Sequence, residues 1–152
     1  MTAEERLQAL GIELEEGPSP MGSYVPAVRT GSLLYLSGLG PRTPDGPDWK
    51  GKVGGDLTVE EGAQAARDVG IAVLARIRSE LGSLDRVSRV VKVLGFVASA
   101  PGFGQQPTVM NGFSDLMLDV FGEAGRHARS AIGVNELPYN IPVEVELVLE
   151  IK

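Results

Sequence analysis

An arginine and a pair of glutamates near the C-terminus are the side chains best suited to chemistry in this chain. Arg129 lies two residues after the single histidine, His127, while Glu144 and Glu146 alternate with apolar residues over positions 143–151. Alternation with a period of two predicts a β-strand with one face on an apolar core and carboxylates on the other. A guanidinium near such carboxylates could pair with them or bind the carboxylate of a small ligand. The sequence leaves both alternatives open.

Length and composition are those of one globular domain. The chain has 152 residues, of which 43% are hydrophobic, so it can bury a substantial core. Its net charge is −6, and its 14 Lys and Arg residues are scattered along the sequence. Because phosphate backbones are bound by concentrated positive charge, we expect no nucleic-acid partner. A small anion could still bind at a single arginine.

The sequence contains few of the side chains that nucleophilic and metal sites use. The chain contains no cysteine, which excludes a disulfide framework, a thiolate nucleophile and a cysteine metal site. One histidine cannot form a histidine metal cluster, so we expect no metal. A serine triad would need His127, and the sequence has no nucleophile-elbow motif.

Neither end of the chain carries a membrane or secretion signal that we recognise. Residues 1–6 are charged and lack the apolar core of a signal peptide. No apolar run approaches the roughly 18 residues that a membrane span needs. We therefore expect a cytoplasmic protein without a membrane partner.

Two capping-box patterns predict where helices begin. Thr2 with Glu5 precedes a short amphipathic helix, and Thr58 with Glu61 precedes a long apolar stripe at helical spacing. A second long helix, with its own apolar stripe over 109–121, follows a loop rich in glycine and proline. These patterns predict one short and two long helices.

The predicted strands flank these helices. Residues 24–29 and 33–38 read as a hairpin, and residues 40–55 read as a long loop that Trp49 anchors on the core. Residues 87–97 are apolar at odd and even positions, which is typical of a strand buried on both faces. Two helices can cover only one face of a small sheet. Another copy of the chain would cover the second face most simply, so we expect a homo-oligomer.

Several short motifs follow one another in a characteristic order. They are Gly22-Ser23-Tyr24-Val25-Pro26-Ala27-Val28, Leu36-Ser37-Gly38, Val91-Lys92-Val93-Leu94-Gly95-Phe96-Val97, Asn111, Ala128-Arg129-Ser130, Glu136-Leu137-Pro138 and Val143-Glu144-Val145-Glu146. Each is weak alone, but their order and the spacing from Arg129 to Glu144 resemble the YjgF/YER057c/UK114 family, also called RidA-like proteins or reactive-intermediate deaminases. The resemblance covers nearly the whole chain from about Tyr24 onward.

The resemblance implies a fold, an assembly and an activity. The fold is α+β and chorismate-mutase-like, of the bacillary type, with a mixed β-sheet and two long helices on one face. The assembly is a homotrimer whose sheets form a central barrel, with ligand clefts between subunits. Residues 1–152 form a single RidA-like domain in which 1–20 are an N-terminal helical extension and linker, as in a longer subgroup of the family. Better-known members hydrolyse enamines and imines without a metal or bound cofactor.

Two positions match the family's central site residues. Arg129 matches the arginine that grips the substrate carboxylate, and a planar guanidinium suits that task because it donates two parallel hydrogen bonds. Glu144 matches the glutamate that positions or activates the attacking water, and one carboxylate can also protonate the leaving nitrogen. The alternatives are an ion pair of Arg129 with Glu144 or Glu146, and a solvated strand position for Glu144.

Four further positions resemble substrate-binding positions of the family. Tyr24 would close the pocket or hold a water, or else pack in the core. Ser37 would lie near the substrate, or else occupy a turn or the barrel interior. Asn111 would contact the ligand, or else cap a helix. Ala131, with Gly133, would present backbone groups to the ligand.

The chain also departs from the family pattern at three positions. Ala131 stands where many deaminating members have cysteine, His127 where they have proline, and Leu39 where glutamine is common. The arginine and the glutamate remain, so these departures weigh more against the specific reaction than against carboxylate binding.

The resemblance favours an enamine/imine deaminase that converts small 2-imino acids, such as the imine of 2-aminoacrylate, to a keto acid and ammonia. The alternative is a non-catalytic protein that binds small carboxylates or keto acids at the subunit interface. An endoribonuclease is a third, less favoured alternative because the chain is acidic and has no basic patch. A chorismate mutase is suggested by fold alone, which is a weak warrant.

Overall fold

A mixed five-stranded sheet forms the centre of the fold. The computed structural model describes residues 1–17, 19–20 and 22–152. The strands are β1 (Ala27–Thr30), β2 (Leu33–Leu39), β3 (Val87–Ala98), β4 (Ala128–Val134) and β5 (Val143–Ile151). Their order in the sheet is β1-β2-β5-β3-β4. Strands β3 and β4 pair in parallel, and the other neighbours pair antiparallel.

The described residues form three α-helices, of which the first two begin where the capping patterns place them. They are α1 (Ala3–Ala9), α2 (Val59–Leu81) and α3 (Gln106–Phe121), and short 3-10 turns occupy 84–86, 122–125 and 138–140. Both predicted capping boxes are formed, at Thr2 and at Thr58. Helix α2 ends at Gly82, whose φ of 83° lies in the left-handed region that glycine adopts without strain. Within the described residues, none of the helices combines the length and apolarity that a bilayer crossing requires.

Helices α2 and α3 cover one face of the sheet, called here the helix face; the opposite one is the open face. Strand β5 shows the division most clearly, because its burial alternates along the whole strand as predicted. The side chains buried on its helix face are Val143, Val145, Leu147, Leu149 and Ile151. Those on its open face are Glu144, Glu146, Val148 and Glu150.

The open face carries apolar side chains as well as the glutamates of β5, and it is uncovered in the single chain. In the strand over 87–97, Leu94 and Phe96 on the open face are only half-buried. The reason is that both long helices pack on the helix face. Three further apolar side chains on the open face are exposed: Val28, Tyr35 and Ile132. Burial of this strand on its second face, which we assigned to another copy of the chain, stays a prediction.

The N-terminal hairpin is formed, with a shorter first strand than predicted. Strand β1 begins at Ala27, immediately after Pro26, which has no N–H to donate to a ladder. Tyr24 and Val25 precede the strand and are exposed. The segment before β1 is held next to β2, because the Ser37 N–H donates to the Pro26 carbonyl oxygen at 3.0 Å.

The long loop before α2 is anchored as predicted. Trp49 donates from Nε1 to the Asp68 Oδ2 atom at 2.8 Å, and its ring packs partly buried against the core. Val53 is fully buried and forms isolated β-bridges with Leu57 and Ser99. This loop is a fixed part of the domain.

Helix α1 is docked on the domain through Glu4. Arg78 donates from Nε and Nη2 to the Glu4 carboxylate, and the Leu84 N–H donates to it at 2.8 Å. Burial alone would raise the pKa of Glu4, but these hydrogen bonds and the charge of Arg78 lower it. The predicted rigid connector over 17–20 lies partly outside the described residues, because Pro18 is not among them.

We expect the substitution Gly112→Ala to destabilise the protein, although alanine is a better helix former than glycine. Gly112 lies where α3 approaches α2, and a Cβ there would collide with the backbone carbonyl oxygen of Ala63. Overpacking of this kind costs about 1–3 kcal/mol, which exceeds the gain of roughly 1 kcal/mol in helix propensity. Denaturant unfolding measures the difference. Gly104→Ala is the matched control, since a Cβ at Gly104 meets nothing within 4 Å.

Candidate functional site

The Arg129 side chain lies on the helix face, against α3. Its Nη1 donates to Asn111 Oδ1 and to Ser114 Oγ, each at 3.0 Å, and its Nη2 donates to the Pro107 carbonyl oxygen at 3.3 Å. Asn111 sits inside α3 and accepts from Arg129, while the helix is capped at Gln105, so the alternative role of Asn111 as a cap is wrong. These contacts hold the guanidinium in one orientation.

Ser114 and His127 form a second layer behind Arg129 that the sequence did not predict. His127 Nδ1 lies 2.7 Å from the Gly125 carbonyl oxygen, which can only accept, so Nδ1 donates. The neutral ring then accepts at Nε2 from the Ser114 hydroxyl, 2.9 Å away. The i, i+3 spacing of Asn111 and Ser114 on one helix face was the signal that could have found Ser114.

His127 is held neutral by its surroundings. Burial lowers its pKa, the hydrogen bond to the Gly125 carbonyl opposes this, and the charge of Arg129 lowers it further. If Nε2 also carried a proton, that proton and the Ser114 hydroxyl proton would both point into the same contact. The imidazole therefore acts as a neutral acceptor next to the arginine.

We expect the substitution His127→Gln to flatten the pH dependence of stability. Because the folded-state pKa of His127 is below the ordinary 6.5, the unfolded chain takes up the proton first as pH falls. The free energy of unfolding should therefore decrease as pH falls from 6.5 to the lowered folded-state pKa. Denaturant unfolding of both proteins across this window measures the effect. Parallel curves would contradict a buried neutral imidazole, since His127 is the only histidine.

Arg129 carries a positive charge that no carboxylate of the described residues neutralises. Its hydrogen-bond partners Asn111, Ser114 and Pro107 are all uncharged. Arg126, by contrast, forms a two-point ion pair with Glu123 on the surface. The alternative of an ion pair between Arg129 and a β5 glutamate is thus wrong within one chain. A guanidinium has five N–H donors, so part of this group remains able to bind a carboxylate.

Glu144 lies on the open face near the start of β5. It is half-buried, and burial followed by the negative charge of Glu146 raises its pKa. Its carboxylate rests against Gly38, where an added Cβ would stand 2.9 Å from Oε2. Strand β2 shifts register between Leu36 and Leu39, which places Gly38 in an irregular segment next to the carboxylate. The alternative of a fully solvated Glu144 is wrong for this geometry.

A cleft of about 500 Å³ opens beside Glu144. Tyr24 and Ser37 line it together with Glu144, so three of the predicted site residues share one cavity. The Ser37 hydroxyl donates to the Val25 carbonyl oxygen at 2.7 Å, which ties β2 to the segment before β1. Tyr24 is exposed at 55% and is not packed in the core, so that alternative is wrong. Among the described residues, no group of three His, Asp or Glu side chains is arranged to hold a metal ion.

Within one chain, the two halves of the predicted site lie apart: the arginine half, around Arg129, and the glutamate half, around Glu144. Arg129 pairs with Val93 on β3, which also pairs with Leu147 on β5, and both partners are buried on the helix face. Glu144 belongs to the other parity of β5 and lies on the open face. It is also two strands away from β4, roughly 10 Å across the sheet. Ala131, with the same parity as Arg129, belongs to the arginine half.

Comparison with known proteins shows which family has this arrangement of elements. Residues 4–151 match the profile of a family described as YjgF/chorismate mutase-like. The description of that family also names an endoribonuclease. The chain belongs to the YjgF family. Its fold is accordingly the α+β, chorismate-mutase-like fold that the motifs indicated, with two long helices on one face of a mixed sheet.

Individual YjgF relatives resemble the chain over most of its length. Protein TCP17 of Trypanosoma cruzi is 47% identical over 146 residues, covering 95% of this chain and 91% of the relative. A 2-iminobutanoate/2-iminopropanoate deaminase of Dermatophagoides farinae is 33% identical, covering 89% and 91%. A crystal structure of a protein of unknown function from Agrobacterium tumefaciens superimposes with a TM-score of 0.88 at 40% identity, covering 99% and 92%. The family is thus established, and its relatives differ in the functions attached to them.

Proposed function

We propose that this YjgF protein hydrolyses 2-imino acids to keto acids and ammonia. The proposal is carried by one observation: a half-buried arginine and a half-buried glutamate each lack an oppositely charged partner among the described residues. A 2-imino acid offers a carboxylate for the arginine and an electrophilic C=N carbon for water activated by the glutamate. The similarity to a 2-iminobutanoate/2-iminopropanoate deaminase supports the same reaction.

Arg129 would bind and orient the substrate. Asn111, Ser114 and the Pro107 carbonyl already fix its guanidinium, so little side-chain freedom is lost when a carboxylate binds. The carboxylate would receive parallel charge-assisted hydrogen bonds from the remaining N–H groups. This places the imine carbon at a set distance from the arginine.

Glu144 would transfer protons between the attacking water and the substrate. With the substrate as an iminium ion, Glu144 as a base accepts a proton from water while the water oxygen bonds to the C=N carbon and the C=N π electrons move to nitrogen, which gives a neutral carbinolamine. The protonated carboxyl passes its proton to the amine nitrogen, and the carboxylate then accepts the hydroxyl proton as the C–N bond breaks and the C=O bond forms. Ammonia takes up that last proton and leaves as ammonium, so the carboxylate is regenerated. A carboxyl with a raised pKa suits both steps, because its two protonation states are closer in energy near neutral pH.

The site would be completed by a second copy of the chain. Arg129 and Glu144 lie on opposite faces of one sheet, so a small imino acid could not touch both within one chain. The open face, where the apolar side chains of Leu94, Phe96 and Tyr35 are incompletely buried, supplies a surface for association. In a closed ring, the arginine half of one copy would meet the glutamate half of its neighbour, and a homotrimer would contain three such clefts.

A second candidate is binding of small carboxylates or keto acids without turnover. Ala131 and Leu39 favour it, because neither side chain can donate or accept a proton at the positions where it borders Arg129 and the cleft. Endoribonuclease activity has less support, since the net charge of −6 opposes binding of a polyanion.

The test uses 2-imino acids generated in place by an amino-acid oxidase, with semicarbazide to trap imine that has not been hydrolysed. A deaminase lowers the amount of trapped product, and a binding protein does not. Keto acid binding without any decrease in trapped imine would support the second candidate. Size-exclusion chromatography with light scattering measures the assembly of the same preparation.

A further inference from the structure

The cleft beside Glu144 is larger than a small imino acid requires. Its volume of about 500 Å³ falls in the range, roughly 300–1,000 Å³, of pockets that hold drug-sized ligands. An imino acid with a one- or two-carbon side chain would contact only the region around Glu144 and Ser37. Water would fill the remaining space.

A continuous group of apolar side chains lines the cleft away from Glu144. Ile71, Ala72 and Ala75 of α2 line it, and Leu39 and Ile141 line it from the sheet side. On a helix, residues three and four apart share a face, so Ile71, Ala72 and Ala75 form one surface. The two alanines are small, and their size leaves the space open.

Leu39 connects the polar and apolar parts of the cleft. It follows Ser37 and Gly38 in the irregular segment of β2, and it packs partly buried against the core. A substrate whose reacting carbon lies near Glu144 would therefore extend its side chain past Leu39 toward α2. Among the described residues, three charged side chains besides Glu144 also line the cleft: Glu15 and Arg42 are exposed, and Arg76 forms an ion pair with Glu80 at 3.7 Å.

We propose that the cleft selects 2-imino acids with a bulky apolar side chain, branched aliphatic or aromatic, over the small 2-imino acids. The inference rests on the proposed function for the reaction, and on the cleft for the choice of substrate. One methylene in an apolar pocket changes kcat/KM roughly 10- to 200-fold. The imine derived from leucine should therefore exceed the imine derived from alanine by at least about tenfold in kcat/KM.

The test compares imines derived from alanine, leucine, phenylalanine and glutamate, with wild type beside Ala72→Leu. Filling the space at Ala72 should lower the ratio of kcat/KM for the leucine imine to that for the alanine imine by about tenfold. Ser79→Leu, one to two turns further along the same face of α2 and outside the residues that line the cleft, is the matched control and should keep the wild-type ratio. Ala75→Leu is a second filling variant, tested in parallel in case one of them folds poorly.

Binding of the product keto acids separates the two proposals. If no imine is hydrolysed, the proposed reaction fails; tighter binding of the leucine-type than the alanine-type keto acid, weakened by Ala72→Leu, would still support the selectivity. Preference for the alanine or glutamate imine would overturn it. A ratio that Ala72→Leu and Ala75→Leu leave unchanged would also overturn it.

Discussion

Replacement of Arg129 by alanine is expected to reduce 2-imino acid hydrolysis at least about 100-fold. Each hydrogen bond to a charged group contributes about 1.5–3 kcal/mol, and each 1.36 kcal/mol corresponds to a factor of about ten in rate. Loss of both bonds to the substrate carboxylate therefore accounts for a change of this size. Stability should change little, because Arg129 is only half-buried and water can reach its former partners.

Two further variants make the Arg129 result specific. Arg126→Ala removes an exposed arginine that pairs with Glu123, and it should retain activity. Arg129→Lys keeps the charge but loses the planar fork, so it should recover only part of the activity. Light scattering should show the same assembly for all three variants. A fully active Arg129→Ala protein would eliminate Arg129 as the carboxylate-binding residue.

Replacement of Glu144 by glutamine should have a comparable effect on rate. A positioned general acid or base contributes roughly 10²- to 10⁴-fold, and glutamine keeps the shape while losing the proton transfer. Substrate and keto acid binding should persist, since Arg129 remains. The measurement is kcat/KM for imine hydrolysis beside the Kd of the keto acid. An active Glu144→Gln variant would exclude proton transfer by this residue.

Glu146 provides the control for Glu144. The two glutamates share the open face of β5, but Glu146 is exposed and its charge raises the pKa of Glu144. Glu146→Gln removes that charge, so Glu144 should ionise at lower pH. The variant should stay active, and the acidic limb of its pH–rate profile should move to lower pH. An unmoved limb would show that the titration of another group sets the profile.

Mixing the two inactive variants tests whether one site spans two copies. In a ring of Arg129→Ala and Glu144→Gln chains, a cleft with both intact residues forms where a Glu144→Gln copy supplies Arg129 to an Arg129→Ala neighbour. Random mixing would create such clefts at roughly a quarter of the interfaces. Activity should therefore return after the variants are unfolded and refolded together. No recovery in verified mixed assemblies would contradict a shared site.

Much of the fold was predictable because its signals are local. The capping boxes at Thr2 and Thr58 fix the first turns of two helices through contacts three residues apart, and both are formed. The alternation over 143–151 similarly defines β5 and its two faces. The strand over 87–97 is covered on one face only within one chain, and its predicted burial on the second face stays a prediction, because apolar composition does not specify whether a chain covers its own surface.

The sequence by itself determined the elements, the apolar face of β5 and the family, because each depends on residues read in order. Tertiary structure alone decided that Arg129 and Glu144 lie on opposite faces. The alternation of residues along a strand shows which residues of that strand share a face. Only the pairing of β4 and β5 with β3 shows which residues of these two strands lie on the same face of the sheet. The contacts of Ser114 with Arg129 and with His127 also required α3 to pack over β4. Residues distant in sequence become neighbours only through such packing, and here it leaves Arg129 and Glu144 without an oppositely charged partner among the described residues.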